Sequence, residues 1–392
     1  MSQNNFFRTQ TAIVGILILS LMARLVFLVI YPEPNFPDAV AYRTIGTEIF
    51  SGLTITNNIY MPLYPIWTFI FGTKEALIYA DIGISVASVY LIYLLSIELI
   101  GNNVGSIVSC LIAAIYPHFI FYSVSGLSET LYIFLLLLTF LLYYKKYFFF
   151  AIIVSVLSIL VRPTLDLLNP ILLIIFIYFV HNLPWNIVFK YIGIYLISYV
   201  LIMSPWWIHQ NQKYGDFVRL NLGDGIVLYS GNNPMNVSGG GVGRDLGKSD
   251  MDLSIFSNID DPILKNNAMK QEAFNFIIQN PKRFTELAGV KFLRFWRLWP
   301  YAEEFQQWYV IASSLLSYGL VLILAIGYVV QNCKLYFRKF FPIFALIGYL
   351  TFVHMITIGS IRYRLPLEPF LIIFAGNFIF NLFKKFFIKM NI

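Results

Sequence analysis

Asp38 lies in a Pro-rich stretch, PEPNFPDAVAYRTIGTEIFSGL, that follows an apolar segment long enough to cross a bilayer. A carboxylate held beside a membrane surface can take a proton from an acceptor hydroxyl. The other reading of the same residue is plainer: Asp before a helical pattern commonly caps that helix, and the pattern here runs through Tyr42 and Arg43 to Gly52. Glu129 opens an apolar run in SGLSETLYIFLLLL, Arg162 interrupts another in LVRPTLDLLNP, and Arg362 and Arg364 precede the last in SIRYRLPLEPF. Together these supply a base, a second acid and several guanidiniums, the set that transfer away from a phosphate leaving group requires, because a planar guanidinium can grip a phosphate bidentately. Each has a structural alternative: Glu129 as a partner of a helix N-terminus, Arg162 as a helix C-terminal cap, and Arg362 and Arg364 as cations that snorkel to the interface. Two residues apart on a helix, Arg362 and Arg364 point about 200° from each other, so one of them is expected in the pocket. Pro366 and Pro369 imply an irregular start to the last apolar run and favour Arg364.

Positioning these groups is the task of a membrane protein. Hydrophobic residues make up 58% of the 392, charged residues 12%, and the mean hydropathy is +0.72, which a water-soluble fold of this size would leave largely wet. Aromatic residues at 18% gather near segment ends, as an interfacial belt does, and the run from Tyr143 to Phe150 belongs to that belt. Apolar segments fall at 11–31, 76–100, 104–122, 129–144, 148–162, 167–182, 191–208, 308–330, 341–358 and 365–383, giving about ten spans of a core about 30 Å thick. Arg8, Lys145, Lys146, Lys190, Lys334, Arg338, Lys339, Lys384, Lys385 and Lys389 all fall on one side of that arrangement, which the positive-inside rule makes the cytoplasm. Both termini are then inside, and the even span count agrees. The first segment lacks a small-residue cleavage site and is expected to be retained. The expected fold class is an all-α polytopic membrane bundle in three parts: 1–208 with an outer loop at 32–75, a hydrophilic outer region at 209–305, and C-terminal helices at 306–392. The loop should form short surface-lying helices whose apolar face includes Ile45, Ile49, Phe50 and Leu53.

The hydrophilic region from His209 to Glu304 carries 11 basic and 11 acidic residues, so the net +7 arises in the membrane part, where 16 bases meet 9 acids. No basic footprint faces water, and nucleic acid is excluded as a partner. The two cysteines, Cys110 in an apolar segment and Cys333 beside Lys334, suit no disulfide. His118, His181, His209 and His354 show no ligand spacing. Gly247-Lys248-Ser249 lacks the preceding Gly of a phosphate-binding loop, since position 242 is Val242, and the segment reads as a loop. Asn236-Val237-Ser238 matters only in a glycosylating compartment. Arg24, inside the first span, reads as snorkelling or as a donor-phosphate contact.

In chain order, PDAVAYRTIGTEIFSG, MPLYPIWTFIFG, GLSETLYIFLLL, LVRPTLDLLNP, SPWWIHQNQKYGDFVRLNLGDGIVLYSGNNP and RYRLPLEPFLIIFAG resemble the bacterial GT-C glycosyltransferases related to protein O-mannosyltransferases and lipid A aminoarabinose transferases. The resemblance covers most of the chain. It implies a multi-pass enzyme of the cell inner membrane that takes a sugar from a polyprenyl-phosphate donor on the periplasmic face and passes it, with inversion, to a glycan, lipid or protein acceptor. It implies that Asp38 is the catalytic base and Glu129 the second acid, often Asp in relatives, in contact with sugar, metal or acceptor; a divalent metal ion thus stays open. Tyr42, Arg43, Arg162, His209, Arg362 and Arg364 are the candidate substrate contacts. His209-Gln210 departs from the Arg-Asn that relatives carry after the Pro-Trp pair, here Pro205-Trp206, and shifts the phosphate contact to Arg162, Arg362, Arg364 or Lys213. Two other classes fit the composition: a lipid or polysaccharide transporter, which would place ionisable groups at the midplane with internal repeats, and a non-catalytic assembly partner, which would not need Asp38.

Overall fold

A computed structural model describes residues 3–31, 36–52, 59–241 and 251–390. Leu53 and the 242–250 segment, both named above, lie outside the described residues. The helices are α1 (Gln3–Ile30), α2 (Pro37–Phe50), α3 (Leu63–Phe71), α4 (Lys74–Ile100), α5 (Asn103–Ala114), α6 (Pro117–Ser123), α7 (Glu129–Tyr144), α8 (Phe148–Val161), α9 (Leu168–Ile174), α10 (Trp185–Tyr214), α11 (Asp224–Gly231), α12 (Pro262–Gln279), α13 (Pro281–Phe295), α14 (Trp308–Ser314), α15 (Leu320–Ile356), α16 (Ile361–Arg364) and α17 (Glu368–Met390). There is no β-strand among the described residues.

Every apolar segment of the sequence is helical. Among the described residues five helical stretches are each long and apolar enough to cross a bilayer, and α5 with α6 makes a sixth if the bent pair counts as one span. The break comes from Pro117: Tyr116 before it is extended, and the two helices meet at 52°. Shorter apolar helices at Glu129–Tyr144, Phe148–Val161 and Leu168–Val180 pack among these. The stretch from Trp308 to Ile356 reads as two segments in sequence and turns back on itself in space. Only Tyr336 leaves helical geometry, with φ −112° and ψ 16°, yet the Tyr328 and Phe340 rings on its two sides lie 6.3 Å apart. In a straight helix twelve residues would separate them by about 18 Å. Phe374 of α17 contacts both rings and closes the hairpin.

Small and polar residues bring the spans together. A Cβ on Gly376 would stand 2.3 Å from Ser109 Oγ and one on Gly105 would stand 2.2 Å from Asn377 Oδ1, so α5 and α17 touch backbone to backbone. Arg24 does not snorkel and reaches no phosphate pocket. It is fully buried and donates to Ser20, to Ser85 Oγ on α4 at 2.9 Å and to the Ala114 carbonyl at 3.0 Å. The two cysteines are free.

The two ends of the bundle differ in chemistry. At one, Tyr144 donates to the Lys339 carbonyl at 2.5 Å and Lys339 Nζ to the Glu98 carbonyl at 3.1 Å, which brings the end of α4, the Lys145-Lys146 turn after α7 and the basic turn at Tyr336 together. At the other end sit the short helices α2 and α3 and the hydrophilic region. α2 and α3 are too short to span. Ile45 is buried, whereas Phe50 stacks on Phe69 at 4.1 Å with both rings exposed. Beyond α10, Tyr229, Met251, Phe256, Met269 and Ala273 form a small separate core under α11 and α12.

Candidate active site

α2 begins at Pro37 after an extended Phe36, so Asp38 falls in the first turn rather than at the cap, and its side chain is free to look outward. Its Oδ1 accepts from Tyr60 at 2.8 Å and its Oδ2 from Arg362 Nη1 at 2.6 Å. Burial alone would raise the Asp38 pKa. The charge of Arg362 and the donors it and Tyr60 supply outweigh that effect and hold it below the ordinary carboxylate value.

Glu129 stands at the start of α7 and is fully buried. Its Oε1 accepts from Arg162 Nη1 at 2.8 Å and meets Arg362 Nε, and its Oε2 faces Arg362 Nη2 at 3.3 Å. Arg162 is the residue that ends α8. Its extended backbone, φ −146° and ψ 124°, throws the guanidinium towards Glu129 and over the Tyr363 ring at 5.7 Å. One turn along α2 from Asp38, the buried Tyr42 shares a hydrogen bond of 3.1 Å with Ser128 and packs edge-on against Tyr60 at 4.7 Å. Four elements that are far apart in sequence, α2, α7, the end of α8 and α16, thus deliver two acids and two guanidiniums to one place. Of the acids, Asp38 keeps a side-chain exposure of 28% while Glu129 has none.

The remaining candidates fall elsewhere. Arg364, favoured from the sequence over Arg362, points to the opposite side: its fully buried guanidinium pairs with Glu368 at 2.9 Å, donates to the Phe295 and Arg297 carbonyls and lies 3.4 Å above the Tyr318 ring. The i, i+4 spacing of Arg364 and Glu368 was the signal available for this pairing. Glu368 also meets His118 Nδ1 at 2.9 Å. Arg43 lines a shallow crevice with Phe36, Val40, Lys74, Leu77 and Ile78 that includes neither Asp38 nor Glu129. His209 stacks on Trp206 at 5.6 Å within α10, and no bond among the described residues joins it to the acids. Tyr60, Ser128 and Tyr363 belong to the site and were not singled out in the sequence. They are single aromatic or hydroxyl residues whose partners come from other helices, which periodicity does not reveal.

The site's donor set does not suit a divalent cation. All four carboxylate oxygens of Asp38 and Glu129 already have N–H or O–H donors, and two guanidiniums balance the two acids. Among the described residues no group of three or more His, Cys, Asp or Glu side chains could hold a metal ion.

Two solved structures match the chain along nearly its whole length. One is the oligosaccharyltransferase of Archaeoglobus fulgidus in the apo form, with a TM-score of 0.57 and 11% identity over 98% of this chain. The other is AglB from Archaeoglobus fulgidus in complex with an inhibitory peptide and a dolichol-phosphate, with a TM-score of 0.56 and 14% identity over 100% of this chain. The fold is of the GT-C type. The chain spans about half of each archaeal protein, 52% in both cases. No family model and no curated protein matches the sequence. At these identities the likeness establishes the multi-pass GT-C fold, and the narrower resemblance to a bacterial family rests on the motifs alone.

Proposed function

We propose that this GT-C chain is a glycosyltransferase that moves a sugar from a polyprenyl-phosphate donor to an acceptor hydroxyl at the periplasmic face of the inner membrane, with inversion. The observation that carries the reading is the cluster itself: one partly open carboxylate, Asp38, ionised by a guanidinium, beside a buried acid that holds two guanidiniums in place. AglB, a protein of this fold, is solved in complex with an inhibitory peptide and a dolichol-phosphate, which supports a lipid phosphate as one ligand here.

In this mechanism Asp38 accepts the proton of the acceptor hydroxyl as the oxygen bonds to the anomeric carbon. The bond from that carbon to the phosphate oxygen breaks, and the electron pair leaves with the lipid phosphate. The acceptor hydroxyl acidifies as its bond to carbon forms, so a weak base suffices, provided it is already ionised, which Arg362 ensures. N–H groups of Arg162 and Arg362 not committed to the acids stabilise the phosphate that develops charge. Glu129 and Tyr42 act as positioning residues: Glu129 holds the guanidiniums, and Tyr42 braces α2 against Ser128. A single displacement with one base inverts the anomeric centre, and the only other acid of the cluster among the described residues, Glu129, is fully buried.

The test is transfer by purified protein from a panel of polyprenyl-phosphate sugars. Product of inverted anomeric configuration, absent with Asp38→Asn, supports the reading. Lipid movement across vesicles without sugar release would instead favour a transporter.

A further inference from the structure

We infer that Arg362 is the built-in cation of the acid pair, occupying the place where a divalent ion would otherwise bridge two carboxylates, so that the site works without metal. The inference rests on the transfer reading above and adds to it the identity of the positive charge.

Three features carry it. The guanidinium is set between the acids, end-on to Asp38 through Nη1 and side-on to Glu129 through Nε and Nη2. The charge is also closed among the described residues: two carboxylates face two guanidiniums, which leaves no surplus negative potential there to repay a divalent ion for losing its water.

The third feature is how firmly the backbone delivers this side chain. Arg362 N donates to Ser360 Oγ at 3.3 Å. The turn before it is tied to the hydrophilic region at four points. Lys291 Nζ donates to the Ile356 carbonyl at 3.0 Å, Asn232 Nδ2 to the same carbonyl at 2.8 Å, Arg294 Nε to the Gly359 carbonyl at 2.7 Å, and Gly359 N to the Gly239 carbonyl at 3.0 Å. Gly359 has no room for a side chain, since a Cβ there would lie 2.5 Å from the Lys291 carbonyl. A charge held on such a frame is part of the fold and does not need to be recruited. Three of the five N–H groups of Arg362 serve the acids, and two remain for a phosphate.

The test has one arm that needs no activity. Mn²⁺ is titrated into chelator-treated protein in nanodiscs and followed by electron paramagnetic resonance. The inference expects no saturable site; a stoichiometric site that disappears in Asp38→Asn overturns it. The second arm measures transfer in excess chelator. Unchanged turnover agrees with the inference, and loss of turnover restored by Mn²⁺ or Mg²⁺ overturns it. If the wild type transfers no sugar at all, the functional reading fails, while the Mn²⁺ titration still decides the role of Arg362.

Discussion

Asp38 and Glu129 carry the same chemical group in opposite surroundings, and the difference separates their variants. Asp38→Asn removes the base but leaves Arg362 paired with Glu129, so turnover should fall about a hundredfold or more with little change in melting temperature. Glu129→Gln strands two guanidiniums beside each other in a buried place. Breaking a buried pair on one side costs about 3–5 kcal/mol, so this variant should lose both activity and thermal stability, which scanning fluorimetry in detergent would compare. If Asp38→Asn kept near-normal turnover, Asp38 would not be the base. Arg362→Lys should weaken donor binding even though the charge is kept, because an ammonium cannot reproduce the fork that spans both acids. At this scale the sequence told much: Asp38, Glu129, Arg162 and Arg362 are all legible as polar residues at the ends of apolar runs. The choice between Arg362 and Arg364 was harder. It depends on which face of a four-residue turn meets the acids, and Glu368 four positions later decides it by holding Arg364.

The elements that hold the site were legible in outline, because apolar runs of bilayer length admit little besides helix. What escaped the sequence are the contacts that aim them. The packing of α2 on α3 hangs on Gly46, where a Cβ would stand 2.4 Å from the Pro65 carbonyl. Gly46→Ala should push α3 off α2, disturb Tyr42 and Tyr60, and lower both melting temperature and turnover by the about 1–3 kcal/mol typical of overpacking. The frame behind Arg362 offers a pH test. Among the described residues Lys291 is buried without a carboxylate partner, donating to Asn232 and Ile356, and burial lowers its pKa from 10.5 to about 7. Between those values the unfolded chain binds a proton that the folded one does not, so stability should rise with pH from about 7 towards 10.5. Lys291→Met should flatten that rise. A melting profile with the same pH slope in wild type and variant would show that Lys291 does not titrate as its burial requires.

For the molecule as a whole, the basic turns of the sequence set an expected orientation; Lys339 meets Tyr144 and Glu98 at one end of the bundle, and Asp38 and Glu129 with their guanidiniums lie at the other. Thr47 is exposed on α2 at the site end, so a cysteine placed there should react with an impermeant reagent added to the periplasmic side and be silent from the cytoplasmic side. Labelling from the cytoplasm would invert the topology. The central claim, that Asp38 accepts a proton during sugar transfer from a lipid phosphate, is tested most directly by reconstituting the protein in proteoliposomes with radiolabelled polyprenyl-phosphate sugars and measuring transfer to acceptor by wild type and Asp38→Asn side by side. The account predicts label in an inverted glycoside with the wild type and a loss of about a hundredfold or more with the variant. Equal transfer by the two proteins would contradict it.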